Sequence, residues 1–260
     1  MKLRHDHLKD IVWQDLSKLS LYEKIVENTL TVPWLLASWV LAYYHLYFLA
    51  LPCSFMFFLT GLRQAHNGFH HTLGTSHLIT QITLFINSIL MLASMDAVKY
   101  NHLRHHKCCL EEGDEEGKCA KMKAGKALLY GPIFIFRLHK SGLLSKNKRT
   151  VINIITQLVL ILIGAITVFV LNITFLKYHV IVMIAAELMT AFFAVWTVHH
   201  DCDEEVIARS ISNTWKSRLT YSMFYHLEHH LYPQVPTIKL RKLSERIKTQ
   251  HPEIKIKEVF

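Results

Sequence analysis

The stretch Tyr225-His226-Leu227-Glu228-His229-His230-Leu231-Tyr232-Pro233 carries three histidines at i, i+3 and i+4. That spacing puts all three side chains on one face of a helix. Neutral imidazole is the commonest transition-metal ligand, so such a face is half a metal site; the plainer reading is a solvated, histidine-rich helix end. Asn101-His102-Leu103-Arg104-His105-His106 repeats the spacing. In His66-Asn67-Gly68-Phe69-His70-His71, His66 and His70 are i, i+4 partners, and His71 is placed to replace or join His70. The pair His199-His200, followed by Asp201, offers a further ligand.

His66, His70, His102, His105, His106, His226, His229 and His230, with His199 or His200 as a ninth, are too many for one metal, since zinc takes about four ligands. Two metals with four or five imidazoles each would use them all. An all-histidine set without thiolate suits iron, copper, nickel or zinc by ligand type. A redox metal is favoured, because there is neither an HExxH helix nor a set of ligating carboxylates. Glu228, Asp201 and Asp203 either orient imidazoles by accepting their free N–H or are ordinary surface carboxylates. His5, His7, His45, His77, His139, His179 and His251 fit no cluster and read as ordinary residues.

The elements that position these clusters are apolar. The chain has 260 residues, 51% of them hydrophobic, with 18 histidines and a net charge of +9. Such a basic balance suits nucleic acid, a membrane surface or acidic partners. The five cysteines form no CxxC pair, against a zinc ribbon or a disulfide framework and in favour of a reducing compartment. No secretory signal pattern is visible at the start.

Ser20-Leu21-Tyr22-Glu23 resembles a capping box that opens a short amphipathic helix in a surface lead-in. From Leu30 to Leu62 no charged residue occurs. This run is too long for one span of about 20 residues and reads as spans near 30–48 and 52–65, turning at Pro52. Trp34, Trp39, Tyr43, Tyr44 and Tyr47 suit interfacial belts. Residues 78–97 are apolar with polar interruptions, residues 107–150 form the largest soluble piece, and spans are expected at 151–172 and 179–198. Residues 237–249 suit either a basic helix on a membrane surface or a soluble terminal helix packed on the domain.

If the clusters form one site, an even number of spans must separate each pair. The 78–97 segment, lying between His71 and His102, must then be interfacial or re-entrant. The expectation is a single all-α integral membrane domain over 1–260, with four transmembrane helices in two hairpins and a helical cap carrying the histidines. Lys99, Arg104, Lys107, Lys118, Lys121, Lys123, Lys126, Arg137, Lys140, Lys146, Lys148 and Arg149 stand on the site side, while the far turns offer only Lys177. By the positive-inside rule the site and both termini face the cytoplasm, which explains the basic charge without nucleic acid.

The ordered set HNGFHH, HLRHH and HLEHHLYP, with a late HH pair, resembles the integral-membrane fatty acid desaturase superfamily over roughly residues 30–245. That superfamily also contains hydroxylases and carotenoid ketolases. The resemblance implies two non-haem iron ions, O2 as co-substrate, a lipid or acyl chain held between helices, and two electrons from a separate ferredoxin- or cytochrome b5-like donor. No cytochrome b5 (HPGG) or flavin fingerprint appears in the chain. The box histidines map onto the eight above, and the extra ligand of some members maps to His199 or His200. Val195 and Trp196 stand where some acyl-CoA desaturases carry an Asn. The compact chain and its HLEHHLYP ending look more like acyl-lipid or acyl-carrier desaturases than ketolases. A lipid hydroxylase or carotenoid ketolase is the rival. A membrane metal transporter is disfavoured because transport ligands line a mid-bilayer path, whereas these clusters sit just outside the spans.

Overall fold

In the computed structural model, which describes residue 8 and residues 10–203 and 205–259, the capping box forms as the sequence suggests. Ser20 Oγ accepts from Glu23 N (3.3 Å) and Glu23 Oε2 from Ser20 N (2.8 Å). His5 and His7 lie outside the described residues. Helix α1 (Leu21–Thr29) is not a separate surface element. Leu30 has helical dihedrals, and the chain runs on into α2 (Thr31–Tyr43), giving 23 residues from Leu21 to Tyr43. At 1.5 Å per residue this is about 34 Å, enough for a hydrocarbon core of about 30 Å.

The hairpin turn lies at 44–46, where His45 takes a left-handed φ of 60°. It does not lie at Pro52, which sits inside α3 (Tyr47–Phe69). A proline this near the start of a helix frees one carbonyl, that of Phe48, and membrane helices tolerate it. Ser38 and Ser54 hydroxyls meet at 2.7 Å across the α2–α3 seam, and Ser54 also reaches Tyr178 OH at 3.1 Å.

Helix α4 (His77–Met91) and α5 (Met95–Cys108) meet at 110°, the reversal being made by Leu92 in the left-handed region (φ 61°) and by the Ser94 cap of α5. The 107–150 stretch is less detached than its charge suggests. After a 3-10 turn (Gly117–Lys121) and α6 (Ala124–Leu129), α7 (Gly131–Leu143) buries Phe134, Leu138 and Gly142 within the bundle. A Cβ on Gly131 would fall 1.6 Å from Leu188 O, so only glycine allows that approach.

Helix α8 (Lys148–Val170) buries Ile154 and Gln157 and exposes Ile152, Leu162, Ile163 and Val170, as a lipid-facing helix would. Helix α9 starts at Thr174, five residues before the expected span, and runs to Leu188. It continues at a 44° bend through a π-helical stretch (Ala191–Trp196) into the short α10 (Thr197–His199). Among the described residues, three helices are thus long and apolar enough to cross a membrane, or up to five if each bent pair is one span.

The C-terminal third forms α11 (Thr214–Leu219), α12 (His226–Leu231) and α13 (Thr237–Gln250). Leu240, Leu243 and Ile247 of α13 pack in one core with Leu8, Ile211 and Tyr232. The apolar face of α13 is therefore spent on the protein and is not available to lie on a membrane. The described residues contain no strand, only an isolated bridge between Ser210 and Glu258.

Candidate metal centre

Helix α3 delivers His66 and, at its C-cap, His70; α5 delivers His102, His105 and His106; α12 delivers His226, His229 and His230. The π-helical stretch fixes the fourth contribution. Its wider turn rotates everything that follows, and such turns recur at functional sites. His199 therefore points inward, 1% exposed. His200 turns away, its ring stacked on Trp196 at 4.0 Å and its Nδ1 bonded to Trp196 O. His71 also lies aside, stacked on His77.

The nine inward imidazoles divide into two groups, with the ring nitrogens of each within 4.8 Å of one another. One holds His66, His70, His102, His106 and His229; the other holds His105, His199, His226 and His230. In the first, Nε2 atoms of His70 and His102 lie 3.0 Å apart, His106 and His102 3.1 Å, and His106 and His229 2.9 Å. In the second, His105 to His199 is 3.0 Å, His199 to His226 3.0 Å, and His226 to His230 3.2 Å.

The outward nitrogens decide what those distances mean. His199 Nδ1 faces the carbonyl of Ile207 (2.9 Å), His105 Nδ1 the Asp114 carboxylate (2.7 Å), and His102 Nδ1 the Glu116 carboxylate (3.0 Å). Carbonyl and carboxylate oxygens only accept, so each Nδ1 carries a proton, and in the neutral ring each Nε2 presents a lone pair to its neighbours. A shared proton joins two nitrogens at most, whereas these groups bring four and five to one point. His66 Nε2 is buried with no hydrogen-bond partner among the described residues. Metal–imidazole bonds of about 2.0–2.1 Å at right angles would place ligating nitrogens about 3 Å apart, the spacing seen. The donor set fits two metal ions.

Electrostatics keep most of the set in the ligand form. Burial, then the neighbouring imidazoles, hold His106, His226, His229 and His230 well below the usual histidine range. Burial would lower His105 too, but its hydrogen bond to Asp114 overrides this and raises it. Asp114 would be raised by burial, yet the hydrogen bond from His105 and those from the amides of Gly117 and Leu110 bring it below the usual carboxylate range.

Asp114 and Glu116 are the orienting carboxylates that the sequence did not single out; their signal was the acidic loop closely following HLRHH. The three carboxylates considered for that role do other work. Buried Glu228 accepts from Ser210 Oγ, Asp201 pairs with Arg209, and Asp203 caps the amides of Glu205 and Val206 and pairs with Lys257.

A narrow cavity of about 90 Å³ reaches both groups, touching His66 and His102 of the first and His226 of the second between apolar walls that include Phe69, Met95 and Val198. A wider one, about 610 Å³, adjoins it, sharing Leu62, Ala194, Met223 and Phe224, and reaches Arg218 and Leu219. Both side chains are exposed.

Among known families, the fatty acid desaturase family matches residues 38–258. An all-helical chain with several membrane-length helices and clustered histidines belongs, on that match, to the fatty acid desaturase family. No curated protein gives a significant match to the chain.

Proposed function

We propose that this chain is an O2-dependent di-iron desaturase that introduces a double bond into an acyl chain, carried on a lipid or an acyl carrier. The observation that carries the reading is the five-and-four split of nine imidazoles beside an apolar cavity that touches both groups. His66, His70, His102, His106 and His229 would hold one iron, and His105, His199, His226 and His230 the other. Two iron ions, with O2 and two electrons from a separate ferredoxin- or cytochrome b5-like protein, supply the oxidising power needed to remove hydrogen from an unactivated C–H bond.

The chain's own residues do the positioning. Asp114, Glu116 and the Ile207 carbonyl lock the rings of His105, His102 and His199, which raises ligand basicity and would hold those imidazoles in place for the metals. Leu62, Phe69, Val98 and Val198 give this passage apolar walls, suited to hydrocarbon rather than to water. His66 and His226 border that passage, so a threaded chain would present its methylenes to both groups.

Four spans in two hairpins suit this reading, with the α4–α5 reversal placing its histidines back on the starting side. The site and both termini then face the cytoplasm. Contacts between residues near the two ends support that reading: Tyr232 OH bonds Leu8 O (2.7 Å), and Arg246 of α13 pairs with Asp15. Lys121, Lys123 and Lys126 stand exposed there, a surface suited to an acidic electron carrier.

The test is expression with a reductase system, followed by mass analysis of lipids beside a His229→Ala control. Products lighter by two hydrogens that vanish in the control support desaturation. Products heavier by one oxygen would transfer the reading to hydroxylation, and an unchanged profile would remove it.

A further inference from the structure

One carboxyl group on the cavity wall takes no part in holding histidines. Three acidic or cationic groups other than histidine line the narrow cavity: Arg63, Glu116 and Glu187. Arg63 is paired with Glu27, and Glu116 with His102. Glu187 is 8% exposed and makes no ion pair among the described residues. The hydroxyl of Thr190 stands beside it and also lines the cavity, donating to Ala186 O (3.3 Å).

Its place along the chain is informative. Glu187 precedes His199 by twelve residues on the same bent helix, about 15–18 Å along the axis at 1.5 Å per residue. It follows Thr174, where α9 begins, by a similar length and so stands near the middle of the span. An ionisable side chain at mid-membrane is costly and is retained where it faces a cavity with work to do. With no cation beside it, a carboxylate there would be an unpaired charge in an apolar wall. The neutral acid instead offers one donor and one acceptor. The neighbouring His139 is already satisfied, accepting from Ser94 N (3.1 Å) while its Nδ1 bonds Ile135 O (2.8 Å).

We propose that Glu187, with Thr190, forms a specificity subsite at the mid-membrane end of the cavity for a substrate whose chain terminus carries oxygen, as a hydroxyl, carbonyl or carboxyl group. The inference rests on the acyl-chain reading above and narrows its substrate class. A methyl-ended chain would bury Glu187 against hydrocarbon and leave its hydrogen-bonding capacity unused. An oxygen-ended chain satisfies it, and sites built around a buried polar group discriminate strongly against the analogue lacking the partner. The oxygen has two possible sources, an oxygenated tail or the head of a free acid, and both present the same chemistry to Glu187.

Equilibrium binding to the purified full-length protein distinguishes them without turnover. The probes are methyl palmitate, its ω-hydroxy derivative and palmitic acid, applied to wild type, Glu187→Gln and Glu187→Leu, with thermal unfolding to verify that each variant folds. The ω-hydroxy ester should bind wild type about tenfold tighter than methyl palmitate, the worth of one desolvated hydrogen bond. Glu187→Gln, which keeps a donor and an acceptor, should retain the preference, and Glu187→Leu should abolish it. If palmitic acid shows the Glu187-dependent advantage instead, the subsite takes an acid head. Equal binding of all three probes to wild type, or a preference that survives Glu187→Leu, overturns the subsite and leaves the acyl-chain reading standing. No binding of any probe overturns both.

Discussion

Replacing Asp114 by Asn tests whether the buried carboxylate builds one half of the metal centre. Asp114 Oδ2 accepts from His105 Nδ1 (2.7 Å) and Leu110 N (2.9 Å), and Oδ1 accepts from Gly117 N (2.8 Å). Asparagine has the same shape but only one acceptor oxygen. With that oxygen toward His105, its NH2 meets the Gly117 N–H; in the other orientation it meets His105 and Leu110. The better orientation leaves two buried donors, the Gly117 N–H and the new NH2, facing each other without an acceptor at about 1–3 kcal/mol each, which a domain of about 5–15 kcal/mol can bear and remain folded. What is lost is the negative charge that fixes and strengthens His105, a loss typically worth 10–100-fold in metal affinity. Because His105 belongs to the four-histidine group, only that site should weaken. Anaerobic titration of the metal-free protein with ferrous iron should show one unchanged site and one weakened by about 10–100-fold. Glu116→Gln should weaken the other site, through His102. Unchanged affinity at both sites in Asp114→Asn, or equal weakening at both, would refute the division of roles.

Four further outcomes are expected. His199→Ala should lose metal from the four-histidine site while His200→Ala keeps it, as metal analysis of both proteins will show. Glu27→Ala should lower the Tm sharply: it strands Arg63, buried beside it at 2.6 Å, and frees Asn67 and the Ile238 amide, and breaking a buried pair costs about 3–5 kcal/mol. Charge reversal at Lys121, Lys123 and Lys126 should raise KM for the electron carrier, and an unchanged KM would dismiss that docking face. His251 is raised by its hydrogen bonds to Glu253 and Asp10, so the stabilisation it lends is complete below its ordinary value of 6.5 and fades as pH rises through its folded value. Protection factors of the amides around Asp10, corrected for the intrinsic pH dependence of exchange, should accordingly fall as pH rises through that folded value.

The eight box histidines were legible because i, i+3 and i+4 spacing is a local property of a helix. The ninth was not: His199 and His200 are equivalent in sequence, and a π-helical turn that leaves no compositional mark selects between them. Asp114 and Glu116 escaped notice because a loop, not a helical repeat, returns them to His105 and His102. Pro52 misled because a proline that would break a helix in water sits quietly near the start of a membrane-length one. Helix α7 was masked by the lysines around it, while its packing depends on Gly131 and Gly142, which give no periodic signal. In α13 the apolar spacing was plain, but only the fold shows that Tyr232 and Ile211 cover it.

The most direct measurement is elemental analysis of the purified full-length protein from iron-supplemented cells, with Mössbauer spectroscopy of the same sample. The expected result is two iron ions per chain in two distinguishable nitrogen-rich environments, five imidazoles around one and four around the other. A single iron, or zinc in both positions, would contradict the di-iron centre.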